Sequence, residues 1–157
     1  MKKAFLVAIA SIMIISAANS QTIKSPSEFL GYALGTQFTF HYRAVDYFRY
    51  IASVSQLAKY QEYGITNEGR TLGVCFISSE ENLAKLEEYR KNNLIKTGLL
   101  KGEFTGKQIP FIWLAYNVHG NEAVGMEASM KTLYTLVSGT YPGVTDWLKN
   151  CIIVIGK

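Results

Sequence analysis

His119 and Glu122 are separated by Gly120 and Asn121 in a chain of 157 residues. An imidazole nitrogen and a carboxylate oxygen are both zinc donors, bonding the ion at about 2.0–2.2 Å. An apolar run, Ile109 to Val118, leads into this tetrapeptide, and a helical pattern continues from it to about Val137. Three-residue spacing around a strand-to-helix turn lets both side chains point at one cation. Gly120 removes bulk between them and lets the turn be tight. The carboxyl end of a strand is also where α/β sheets place their ligands. The pattern alone arises by chance in roughly one chain of this composition in eight, so context must carry it. The competing reading makes His119 a loop histidine bonded to backbone and Glu122 a complement to a helix N-terminus.

The elements that must position this pair can be read from periodicity. Residues 21–40 mix Ser, Pro, Gly, Thr and aromatics without a clear period and read as an N-terminal extension lying over a domain. Ala44, Tyr47, Phe48, Ile51, Val54 and Ala58 recur at helical spacing, with Arg43, Asp46, Arg49, Ser53 and Gln56 largely opposite. Lys59–Ile65 and Leu72–Ser78 read as strands joined by the tight turn Asn67-Glu68-Gly69-Arg70, hence a hairpin. Ser78 with Glu81 three residues on predicts a capping box opening a helix to about Asn92, with Leu83 and Leu86 inward. Glu81/Lys85 and Glu87/Lys91 then form i,i+4 pairs on its wet side. Lys96–Gln108 is polar and reads as a connecting loop. Ser138-Gly139 ends the helix after Glu122, Trp147 and Leu148 belong to a short helical turn, and Cys151–Ile155 is a buried-strand run. Strands alternating with helices, opened by one hairpin, predict an α/β sandwich around a mixed sheet.

Composition narrows the class. Hydrophobic residues make up 48% of the chain and charged ones 18%, which excludes collagen-like and wholly disordered chains. Residues 1–20 have the parts of a secretory signal: Lys2 and Lys3, an apolar stretch from Ala4 to Ala18, then Ala18-Asn19-Ser20 before Gln21. A spanning helix needs about 20 apolar residues, so cleavage is favoured over a stable membrane anchor. The expectation is an exported protein, periplasmic or extracellular. Beyond Lys2 and Lys3 the chain carries 14 basic against 12 acidic groups, which gives no reason to invoke nucleic acid. Cys75 and Cys151 sit in apolar runs and read as buried structural thiols, although an oxidising compartment permits a disulfide. A β-branched strand with no helix after it points to the front half of a longer domain. The alternative is a strand that closes a small complete one.

Three segments in order resemble the zinc metallocarboxypeptidases of the carboxypeptidase A-like superfamily. They are Gly64-Ile65-Thr66-Asn67-Glu68-Gly69-Arg70, then the strand ending Asn117-Val118-His119-Gly120-Asn121-Glu122, then Gly125, Glu127 and Ala128 followed by Asp146-Trp147-Leu148 and Cys151–Ile155. The resemblance covers about residues 40–155, so 41–157 is identified as the N-terminal part of such a catalytic domain. It implies a three-layer α/β/α sandwich and a peptide or protein substrate hydrolysed at its C-terminal bond by a zinc-activated water. By that resemblance His119 and Glu122 are two of three ligands to one zinc ion, and Asn121 takes a substrate-binding position where some members carry arginine. The family's third ligand, its substrate arginines and its general base fall beyond Lys157, so no catalytic base is assigned here and the site is expected to be incomplete. His41 is expected to be structural rather than a replacement ligand, and Glu127 to be helix surface or support rather than base. The chain alone is then expected to lack peptidase activity. Two other readings remain: an exported non-catalytic binding domain derived from the same fold, and a small periplasmic protein without metal.

Overall fold

The computed structural model describes residues 22–104 and 106–156, so the leader reading for 1–20 lies outside the described residues. The elements are α1 (Pro26–Leu30), α2 (His41–Val54), β1 (Ala58–Ile65), β2 (Thr71–Ile77), α3 (Glu80–Ala84), α4 (Leu86–Lys96), β3 (Phe111–Ala115), α5 (Val124–Ser138), α6 (Val144–Asn150) and β4 (Ile152–Gly156). The four strands form one sheet in the order β1-β2-β4-β3. β2 runs antiparallel to both β1 and β4, while β3 and β4 are parallel, so the sheet is mixed.

Alternation along the strands divides the core into two layers, because successive side chains leave opposite faces. Cys75 and Ile77 of β2 and Ile153 and Ile155 of β4 face Tyr47, Phe48 and Ile51 of α2 and Met130 and Leu133 of α5. Val74 of β2 and Ile152 and Val154 of β4 face Tyr89 of α4, with Phe76, Leu86 and Phe111 alongside. Helices cover both faces, which is the expected α/β/α layering. All five residues of β4 are buried, as an internal strand covered on both sides requires. The edge strands among the described residues are β1 and β3, and both expose apolar side chains, Tyr63 and Ile65 on β1 and Ile112 and Trp113 on β3. Cys75 and Cys151 are free and buried. Burial pushes the Cys75 thiol up to about 12.

Several expected boundaries move, each for a physical reason. α2 stops at Val54 because Ser55 is extended (φ −124°, ψ 128°), so Ala58 belongs to β1 rather than to the helical stripe. The cap after β2 is Ser79, whose hydroxyl accepts from the Asn82 amide. Ser78 is committed elsewhere: its Oγ bonds the carbonyls of Leu148 and Cys151 and accepts from Asn82 Nδ2, joining β2 to the α6–β4 junction. The helix that follows is broken at Lys85 (φ −103°, ψ 14°) into α3 and α4, and its buried residues are Asn82, Tyr89 and Asn92. Leu83 and Leu86 are only half-buried. Glu81 meets Lys85 as expected, but Glu87 takes Arg90 rather than Lys91.

Residues 22–40 are more structured than their composition indicates. Ser25 and Glu28 form a reciprocal capping box that opens α1 at Pro26. Phe29 rests edge-on against Tyr47 and stacked on Tyr50, which packs this segment onto α2.

Candidate metal centre and adjoining cleft

β3 ends at Ala115, three residues earlier than the apolar run to Val118 predicts. Asn117 explains the early stop. It adopts φ +58°, a left-handed conformation that turns the chain out of the sheet. Gly125, near the start of α5, makes room for that turn: a Cβ there would meet the Asn117 amide nitrogen at 3.0 Å and its Cα at 3.3 Å. The His119–Glu122 segment is thus held between a strand end and a helix start that approach as closely as glycine allows.

His119 Nδ1 and Glu122 Oε1 lie 3.0 Å apart on the exposed surface of this turn. A carboxylate oxygen only accepts, so Nδ1 carries the proton it donates. The backbone holds the pair from below, with the Glu122 amide bonded to the His119 carbonyl and the Gly125 amide to that of Glu122. One ion could touch both side chains from this position, and the nitrogen and oxygen donors match zinc chemistry. Among the described residues no group of three His, Cys, Asp or Glu stands together, so the structure unites the predicted pair without a third ligand. Asn121 is exposed between them.

A cleft of about 580 Å³ opens beside the pair, walled on one side by Asn117, Gly120 and Ala123. The hairpin turn reaches it because the pairing of Ile65 with Thr71 brings the β1–β2 connection to the same end of the sheet as the carboxyl end of β3. That turn is tied by two backbone bonds between Thr66 and Arg70, or Thr66 and Gly69, with Gly69 at φ +77°. Arg70 lines the cleft and meets Glu68 at 2.6 Å. From α2 come His41, Tyr42 and Arg49. Arg49 is paired with Glu62 and Asp46, and the bond it donates to Glu62 raises its already high pKa. His41 therefore belongs to the cleft wall, outside any cluster of three ligands among the described residues.

Glu127 departs from the expected helix surface. It is buried, and its two carboxylate oxygens accept from the Gly35 amide and from Thr39 Oγ1, both at 2.6 Å. Thr39 is also bonded to Tyr32. This carboxylate anchors residues 32–39 to α5 and so fixes the approach to α2, including the Phe40–Tyr42 stack at the cleft rim. Helical spacing carries no sign of it. The partners lie 92 and 88 residues away.

Comparison with known proteins agrees with this architecture. The family model of the zinc carboxypeptidases matches residues 45–156, and the chain belongs to that family. No curated protein matches the sequence. Among solved structures, the carboxypeptidase A of Helicoverpa armigera superposes with a TM-score of 0.56 at 17% identity, over 98% of this chain. The match takes in 31% of that carboxypeptidase, so the chain spans about a third of its length.

Proposed function

We propose that this chain is the amino-terminal part of an exported zinc metallocarboxypeptidase that removes C-terminal residues from peptides. The observation that carries the proposal is the 3.0 Å convergence of His119 Nδ1 and Glu122 Oε1 beside a cleft, in a chain of this family. Those two side chains would hold the ion, and the remaining ligand and the general base are placed outside residues 22–156. Bound zinc supplies Lewis acidity, polarising a peptide carbonyl and lowering the pKa of water. Within this chain, a cation at the pair would compete with the hydrogen bond between His119 Nδ1 and Glu122 Oε1, since imidazole binds a metal through an unprotonated ring nitrogen. Gly125 and the left-handed Asn117 hold the two donors in register, and Asn121, exposed between them, is assigned the substrate-binding role. Export rests on the leader-like features of residues 1–20; no helix among the described residues is long and apolar enough to cross a membrane.

Zinc titration followed by NMR of the His119 ring tests the assignment. The ring resonances are expected to shift with one equivalent of zinc. Glu122→Gln should weaken binding by roughly tenfold or more, since one of two anchoring donors is lost. An unshifted His119 ring, or equal zinc affinity in Glu122→Gln, overturns it.

A further inference from the structure

The wall of the cleft is chemically one-sided. Its ionisable side chains are His41, Arg49, Arg70 and the Tyr42 hydroxyl, and among the described residues no carboxylate lines it. Asp46, Glu62 and Glu68 meet the two arginines instead through pairs that are about half-exposed or more. Such exposed pairs contribute only about 0–1 kcal/mol, so a carboxylate arriving through the cleft can replace them at little cost. The guanidinium of Arg70 has five N–H donors in a planar fork that matches a carboxylate. In the same cleft, the Phe40–Tyr42 stack offers an apolar rim, with Phe40 69% and Tyr42 60% exposed.

We infer that the cleft recognises an acidic side chain of a peptide, with Arg70 as the principal contact and Arg49 as its neighbour. The inference rests on the reading of this cleft as the substrate channel of a carboxypeptidase, and it adds the class of substrate residue. Arg70 lies where the hairpin turn enters β2 and Arg49 on α2, so the two cations approach the ligand from different elements. Selection by charge then depends on the hairpin being closed by its Gly69 turn.

The test is calorimetric binding to the whole chain of three probes: acetyl-Glu-Ala amide, acetyl-Gln-Ala amide and acetyl-Gln-Ala free acid. The glutamyl amide is expected to bind about tenfold more tightly than the glutaminyl amide, as charge-assisted bonds exceed neutral ones. That preference should vanish in Arg70→Gln. In Glu68→Gln, which removes the competing carboxylate, affinity should rise by about twofold to fivefold, a gain no misfolded variant would show. His119→Ala should keep the preference while losing the zinc response, so failure of the metal assignment is distinguishable from failure of this one. Equal affinity for the two amides overturns the inference, as does an unchanged affinity in Glu68→Gln. Binding of the free acid as tight as the glutamyl amide would also overturn it, since the cations would then read a chain terminus.

Discussion

Glu127→Ala removes a carboxylate that takes two bonds at 2.6 Å from residues about 90 positions earlier in the chain. A hydrogen bond to a charged group contributes about 1.5–3 kcal/mol. Two would sum to more, but Gly35 is exposed and Thr39 half-buried, so water can satisfy both donors once the carboxylate is gone. The expected net cost is about 2–3 kcal/mol. Glu127→Gln keeps the shape and one acceptor; its amide can donate to Thr39 Oγ1, which is then free to bond Tyr32 as donor. That variant should cost about 1 kcal/mol. Urea unfolding of the two variants beside the native chain measures both values, and amide exchange at Gly35 reports the local bond. Exchange at Gly35 should accelerate in Glu127→Ala well before global unfolding. Equal stability of the alanine and glutamine variants, with Gly35 exchange unchanged, would refute the argument that this carboxylate anchors the N-terminal segment.

Gly125→Ala should destabilise the chain by about 1–2 kcal/mol despite the better helix propensity of alanine, because the new methyl meets Asn117 backbone at 3.0 Å. Gly120→Ala, where a Cβ meets nothing within 4 Å, should be nearly neutral in a thermal melt; equal losses in both would remove the steric argument. Cys75, buried with its pKa pushed up to about 12 by desolvation, should resist iodoacetamide in the native chain and react on unfolding. Because its folded pKa lies above the unfolded value near 9, its contribution to stability is complete below about pH 9. That contribution is lost as pH rises toward 12, so Cys75→Ala should flatten the alkaline fall in melting temperature.

Local patterning carries the elements because it acts within a few residues. The stripe Ala44, Tyr47, Phe48 and Ile51 predicts α2, and the β-branched run Ile152–Ile155 predicts a strand covered on both faces. The Gly69 turn predicts the hairpin, and the spacing of His119 and Glu122 predicts two donors within reach of one ion. Choices that depend on distant partners are not legible in this way. Ser78 and Ser79 are each followed three residues later by a side chain or amide fit for a cap. Ser79 takes the role only because Leu148 and Cys151 present carbonyls to Ser78. Glu127 looks like any exposed helix glutamate until Gly35 and Thr39 arrive from the far end of the chain. The sheet order decides that β4 is internal and that β1 and β3 are the edges, and no short-range signal specifies that order. Sequence by itself determined most of the helices and strands and singled out His119 and Glu122; tertiary structure decided which cations share the cleft beside them, because Arg49, Arg70 and His41 line one cleft with Asn117 only after the hairpin and α2 close over one end of the sheet.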